Sequence, residues 1–395
     1  MILQRAHAVL IFLLHVERRF EPFFRPWLNV LLREPMAALI QFFYNLRRPD
    51  LHLALAEERR EADEEASLQS MIDTMREHLA QDFRPGGVER AGNTKTHGIV
   101  RATLRVHDDL PGHLRHGLFA QPASYPCYVR FSGPGPHVEP DIDDVGFLSI
   151  GVKVMGVPGP KLMDDERFTQ DFTGVCTPTF VTPDTRSNVK LQMWSRRHMG
   201  VFYFFDPSGP TGTHLLDLLM QGLWNETQYN PLGHEFYSCV PYLLGEGQAM
   251  QYRFRPLSRV PQRIPRLPLR PPDNYLRDNM VRTLAQQDVE FHLLVQVQTD
   301  AHRMPLEDAG VRWPDRLSPP VAVATLRIPR QRFDSQAQLD FARNLTINPW
   351  HCLPEHRPLG NQNRARKRMY YELARYRQVQ NAVQHIEPTG DETFD

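Results

Sequence analysis

The chain has 395 residues, enough for one large domain with a sizeable core or for two smaller ones. Lys+Arg and Asp+Glu both number 46, so no overall charge draws it toward nucleic acid. Four widely separated cysteines, Cys127, Cys176, Cys239 and Cys352, argue against a disulfide framework or a zinc spacing, and make a reducing, cytoplasmic setting the expectation.

The first 48 residues differ in kind from the rest. Residues 8–16 (AVLIFLLHV) are apolar but about half as long as a transmembrane helix must be, and no small-residue cleavage site follows. Residues 20–50 mix Phe, Trp and Leu with Arg and Glu, and predict short helices broken at Pro22, Pro26 and Pro35. Seven Arg against three Glu in residues 1–48 give this arm a side-chain charge of +4. Such a segment suits peripheral attachment to the inner face of a membrane, and equally an arm packed on a partner subunit of a homo-oligomer. Both readings stand at this point. Residues 49–88 read as a charged helical spacer ending at Pro85-Gly86-Gly87.

From Thr96 the pattern changes to strands. THGIVRATLRV, YPCYVRFSG and VGFLSIGVKVMGV alternate or run apolar and stop at Gly, Pro or Asp. QDFTGVCTPTFVTPD reads as a loop feeding a further strand, and DVEFHLLVQVQT and PPVAVATLRIP supply two more. Helical patterns lie at residues 189–199 and 213–224, and the proline-rich residues 256–272 predict an extended strap. Many strands with short turns, and helices added to them, predict an α+β domain over residues 89–395, built on an antiparallel β-barrel.

The last element is a basic helix over residues 361–380, containing RARKRMYYELARYR. On a 3.6-residue period Arg366, Tyr370, Leu373 and Arg377 share one face, so a phenol lies between two permanent cations. Spacing alone fits a solvated helix or a phosphate-gripping one as well. Neither GxGxxG, a Walker loop, GxSxG nor HExxH is present.

Taken in order, these stretches resemble the catalase family of haem proteins, from about Arg90 to Arg377. KTHG resembles the segment bearing the family's distal histidine, here His97. YPCYVRFSG resembles its Arg-Phe-Ser strand, and QDFTGVCTPTFVTPD the loop bearing a distal asparagine. NPLGHEFYSCVPYLLGEGQAMQYRF resembles a later stretch, and RxxxY with a further Arg seven residues on resembles the proximal helix.

The resemblance implies a catalase-type barrel holding haem b, with Tyr370 as the iron ligand, Arg366 beside the phenolate, and Arg130 and Arg377 on the propionates. It implies His97 as the acid–base group acting on peroxide, with Ser132 orienting its imidazole. Two departures stand out. Cys176 aligns with the asparagine and Val181 with an aromatic, and a thiol is a poor donor beside an amide. Thr96, just before His97, is closer to the catalase-related allene oxide synthases, which rearrange fatty-acid hydroperoxides. The expectation is therefore haem-dependent peroxidase or isomerase chemistry on hydrogen peroxide or organic and lipid hydroperoxides, with weak catalase activity and no nucleic acid partner. A haem- or lipid-binding module of the same fold without fast turnover is the alternative.

Overall fold

Period-two apolar patterning closes on itself in the computed structural model, which describes residues 2–205 and 213–394. Nine strands are present among the described residues: β1 (Thr96–Val106), β2 (Ser124–Ser132), β3 (Ser149–Met155), β4 (Thr169–Val175), β5 (Phe236–Tyr237), β6 (Tyr242–Leu243), β7 (Ala249–Pro256), β8 (Val289–Val297) and β9 (Val321–Ile328). Their order is β5-β4-β3-β2-β1-β9-β8-β7-β6, every pairing is antiparallel, and β5 also pairs with β7. That last pairing closes an eight-stranded barrel, with β6 attached outside it. Closure leaves no long sheet edge to aggregate.

The barrel interior is solid. Val129 and Phe131 on β2, Val152 on β3, Phe172 on β4, Phe254 on β7 and Leu293 on β8 pack in one buried cluster. By the alternation of strand side chains, Arg130 and Ser132 then belong to the outer wall. The sequence pattern located β1, β2, β3, β8 and β9, but reversed one segment. In QDFTGVCTPTFVTPD the strand comes first, as β4, and the loop follows. Phe172 faces inward and Asp171 outward, which is a strand alternation the polar residues disguised.

Ten α-helices, besides several 3-10 turns and one π-helical turn, accompany the barrel among the described residues: α1 (Ile2–Phe20), α2 (Arg25–Leu28), α3 (Glu34–Arg47), α4 (Glu64–Asp82), α5 (Thr185–Arg196), α6 (Phe202–Phe205), α7 (Leu215–Gly222), α8 (Tyr275–Gln286), α9 (Gln336–Asn344) and α10 (Asn361–Gln380). Asp184 caps α5, its carboxylate accepting from the Ser187 N–H at 2.8 Å. Gly360, at φ +82°, gives α10 its entry turn. The strap between β7 and α8 is irregular as expected, and buries Ile264 against the core.

Residues 49–88 are not a free spacer. Leu68, Met71, Ile72, Met75 and Leu79 of α4 pack on Ala365, Met369 and Leu373 of α10. The apolar residues at i, i+3, i+4 and i+7 form one stripe, which the surrounding charges obscured in the sequence. The arm is likewise docked on its own chain: Ala37 and Ile40 pack on Met220 and Trp224, and the Tyr44 hydroxyl donates to Asp217 at 2.9 Å.

On the outer wall a buried ionic group joins β3 to β4. The Lys153 ammonium donates to Glu166 and, at 2.9 Å, to Asp171. His351 lies 3.0 Å from Asp171 and 3.1 Å from Asp165. Although burial and Lys153 oppose its protonation, Asp165 and Asp171 hold the His351 pKa up at about 9. Burial pushes His356, whose Nε2 accepts from the Leu118 N–H at 3.0 Å, down to about 4, and burial with Arg33 does the same to His234. A raised pKa stabilises the fold fully below the unfolded value of ~6.5 and loses that contribution as pH climbs through the folded value. A depressed one contributes fully above ~6.5 and loses it as pH falls. Urea midpoints are therefore expected to peak near neutrality, falling toward pH 4 through His356 and His234 and toward pH 9 through His351. His351→Gln should flatten the alkaline limb alone, and an unchanged limb would refute the assignment.

Candidate active site on the outer barrel wall

The register of β1 against β2 slips between Thr96 and Gly98, and His97 falls in the slip. A bulge of this kind re-aims a side chain. His97 is buried, and neither ring nitrogen has a hydrogen-bond partner. Its Nδ1 lies 3.7 Å from Asp141 Oδ1, and that carboxylate is ion-paired with Lys95 at 2.7 Å. Burial, then the cations Lys95, Arg277 and Arg130, drive the imidazole pKa well below its ordinary value. His97 is thus a neutral base at physiological pH, with both nitrogens uncommitted.

Ser132 does not orient that imidazole. It pairs with Thr96 in the ladder, and no hydrogen bond joins it to His97, because the bulge swings the ring over Gly133 toward Asp141. Asp141 takes the neighbouring position instead, and sequence reasoning missed it; a buried Asp two residues before Asp143-Asp144 looks like part of a solvated acidic turn. Thr96 contributes through its hydroxyl, which accepts from Arg130 at 2.7 Å.

Cys176 is packed in the barrel core. Its sulfur accepts from the Leu148 N–H at 3.0 Å, and burial pushes the thiol pKa up to about 12. A thiol already serving as an acceptor in the core is unsuited to position a substrate as an amide would. Val181 is half-buried, but Phe180 beside it supplies an aromatic ring, 5.2 Å from the Arg366 guanidinium carbon.

Across from this wall, α10 presents the stripe its spacing foretold. It lies outside the barrel rather than over a barrel mouth, tied there by Trp350, whose indole donates to the Asn363 carbonyl at 2.7 Å, and by Asn348, which reaches the Lys367 carbonyl at 3.2 Å. Arg366 and Arg377 are buried, Tyr370 is half-buried, and the Arg366 guanidinium carbon stands 5.9 Å from the Tyr370 ring centre. The Tyr370 hydroxyl has no hydrogen-bond partner among the described residues. Tyr371 stacks under Arg375 and Tyr376 packs toward α4, both as side-chain packing. The outward arginines are engaged within the chain: Arg364 with Glu58, Glu64 and Glu307, and Arg368 with Glu65 and Glu372.

A third set links the two. Arg90, half-buried at the edge of the wall, adds a cation to Arg130 and Arg377. Burial first, and then repulsion from Arg90, push Arg130 and Arg377 well below their ordinary pKa. Glu89 is the nearby carboxylate, and it is already paired with Arg343 at 2.6 Å. Arg90 Nε, Arg130 Nε, and Nε and Nη2 of Arg377 are buried donors without acceptors. Nη2 of Arg90 reaches the Ala342 carbonyl and Nη2 of Arg130 the Asn93 carbonyl and Thr96 hydroxyl, but buried donors left over are costly, so the remaining N–H groups make a cradle shaped for anionic oxygens. Arg90 escaped the sequence reading because a lone Arg ahead of a strand carries no motif.

No family model and no curated protein sequence matches the chain. Among solved structures, a fungal catalase matches at TM-score 0.57 with 16% identity over 84% of this chain and 66% of its own. A bacterial catalase matches at TM-score 0.54 with 15% identity over 86% of this chain and 67% of its own. The fold is that of the catalases. The catalase fold here spans about two thirds of the length of those two proteins, and the arm, α4 and the barrel are set together as described above.

Proposed function

We propose that this chain is a haem-dependent oxidoreductase acting on hydroperoxides, as a peroxidase or isomerase more than as a disproportionating catalase. The observation that carries the reading is the set of buried donors without acceptors, Nε of Arg90 and Arg130 with Nε and Nη2 of Arg377, near a Tyr370 that makes no hydrogen bond among the described residues. Haem b matches that donor set: its two propionates would take the guanidinium groups, and its ferric iron the phenolate. When bound, the haem supplies the redox-active iron at which a peroxide O–O bond is cleaved. Arg366, whose guanidinium carbon stands 5.9 Å from the Tyr370 ring centre, would be the cation beside a phenolate on that iron. Neutral His97 takes the proton from one peroxide oxygen and returns it to the other. Asp141 steadies the charged imidazole formed between those two transfers.

Cys176 favours organic hydroperoxides over hydrogen peroxide. With the sulfur bound to Leu148 and buried in the core, the distal side lacks the amide that would position the small substrate. Turnover of a fatty-acid hydroperoxide should exceed oxygen release from hydrogen peroxide, followed by absorbance and an oxygen electrode on one preparation. Oxygen release at the rate of an ordinary catalase would sink this reading.

The arm supports a lipid substrate. Phe12, Phe23, Trp27, Val30, Leu31 and Phe42 are all exposed, Trp27 at 77% and Val30 at 83%, and no helix among the described residues is long and apolar enough to cross a membrane. We take the occupant of this face to be the interfacial zone of a bilayer, because alkyl and aromatic groups run from α1 through the turns on either side of α2 to α3 while the buried side of the arm is held by the chain itself. Its charge is largely spent: Arg19 pairs with Asp143, Arg25 with Glu21, Arg33 with Glu226 and Arg48 with Asp308. Binding to anionic vesicles should therefore survive most of the salt that would screen a free +4 arm. A Trp27→Ser, Val30→Asp double variant should stay in the supernatant on vesicle sedimentation. If the parent protein also stays there, and the variant instead lowers the oligomeric mass, the face joins subunits.

A further inference from the structure

Apart from the haem-type site, three histidines and one carboxylate converge where α4, the β2–β3 loop and the end of α5 meet. His78 and Asp82, four residues apart on α4, share a helix face. His137 comes from the loop, and its Nδ1 lies 3.2 Å from Asp82 Oδ2. His78 Nδ1 lies 3.6 Å from the same oxygen, and His198 Nε2 lies 3.4 Å from Oδ1. We propose that His78, Asp82 and His137, with His198 beside them on the second oxygen of Asp82, form a binding site for a divalent transition-metal ion of the zinc type.

Four observations carry this. The His78 ring is buried, and its Nε2 lies 3.4 Å from the Pro136 carbonyl, an acceptor for that nitrogen in the tautomer that leaves Nδ1 free. Its Nδ1 lone pair is then aimed at a carboxylate oxygen, with no hydrogen bond on either atom. Two acceptors facing each other across 3.6 Å repel unless a cation stands between them. The backbone carbonyl on the far nitrogen is the support that metal-bound imidazoles regularly have.

The spacing suits the ion as well. Zn–N and Zn–O bonds near ~2.0–2.1 Å put the corners of a tetrahedron about 3.3 Å apart. The two contacts to Asp82 Oδ2, 3.6 Å from His78 and 3.2 Å from His137, bracket that edge, and the donor atoms of these three residues all lie within 4.8 Å of one another. His198 adopts φ +55°, a left-handed position at the end of α5 that glycine would fill with less strain, and its ring stacks on His137 with centroids 4.5 Å apart. Neutral nitrogen donors with one carboxylate select zinc, copper or nickel over magnesium or calcium. Such an ion would staple α4, which packs on α10, to the loop that goes on to Asp141 beside His97.

The other buried triad, Glu166, Asp171 and His351, does not compete for this role, because the Lys153 ammonium already stands between its carboxylates.

The test uses the full-length protein, stripped with EDTA, desalted, and titrated with zinc against a chromogenic chelator. One tight equivalent is expected. His137→Ala and Asp82→Asn should each weaken it at least about 100-fold, the upper end of what losing a mere supporting group costs. One equivalent of zinc should also raise the Tm of the parent and leave both variants unmoved. His198→Ala, at a half-exposed position, guards against misfolding of the buried variants and should weaken binding in its own right. The proposal is overturned if the parent takes up no tight equivalent, or if that equivalent persists in a His137→Ala, Asp82→Asn double variant. Zinc counted by elemental analysis is independent of haem iron, so failure here leaves the haem reading untouched.

Discussion

Tyr370→Phe is expected to yield protein that either lacks haem or shows a ferric spectrum without phenolate character, while Tyr371→Phe leaves both content and spectrum unchanged. The contrast isolates the phenol. Both residues lie on α10 and both substitutions remove one hydroxyl, but Tyr370 lies beside Arg366 and faces the arginine cluster, whereas Tyr371 sits under Arg375 at the surface. Loss of the ligand should also unbalance the cradle. With nothing anionic bound, Arg90, Arg130 and Arg377 would be left as buried like charges, so the haem-free variant should gain thermal stability when an organic dicarboxylate is added. Equal spectra from the two variants would mean that the ligand is elsewhere.

Lys153→Met is expected to destabilise the protein by about 3–5 kcal/mol, the usual range when one partner of a buried ion pair is removed. Lys153 is fully buried, and its ammonium is shared by Glu166 and Asp171. Although burial opposes it, those carboxylates hold the lysine pKa up. Without it, both carboxylates remain in the wall with His351 and His385 as the nearest cationic partners. Adding Glu166→Gln to the variant should restore part of the loss, because one uncompensated charge then disappears. Urea midpoints at pH 7 measure both, and a single-variant loss below about 1 kcal/mol would place the group in contact with water.

Much of the barrel was legible in the sequence because its strands obey one short-range rule. THGIVRATLRV and DVEFHLLVQVQT alternate cleanly, and they became β1 and β8. β4 was read backwards and β7 was passed over, since Asp171, Gln251 and Arg253 fall on outer faces buried by other parts of the fold. Polar residues buried against a second layer break the alternation that marks a one-sided strand.

The site divides along similar lines. The stripe of Arg366, Tyr370 and Arg377 follows from helical periodicity and is present as read. Arg90 and Asp141 were invisible because their roles depend on residues far away in the chain. Ser132 was misassigned because a bulge of one residue redirected His97, and no propensity announces such a slip. Cys176 was taken for a group lining the site, whereas the turn after β4 folds it inward, into the core.

The order of elements along the chain bears on how this protein acquires its activity during synthesis. α4 precedes every strand of the barrel and α10 follows every one, yet they form a shared apolar seam. Neighbouring strands such as β1, β2, β3 and β4 pair locally and can do so early, while the seam needs a contact of very high sequence separation. Every strand of the barrel therefore leaves the ribosome before α10 does. Until α10 docks, the Met-rich face of α4 is exposed, and that interval is when chaperone capture or aggregation would compete with maturation. Docking of α10 belongs to the last stage of folding, so a chain stalled short of it should appear as an intact barrel with a protease-sensitive α4.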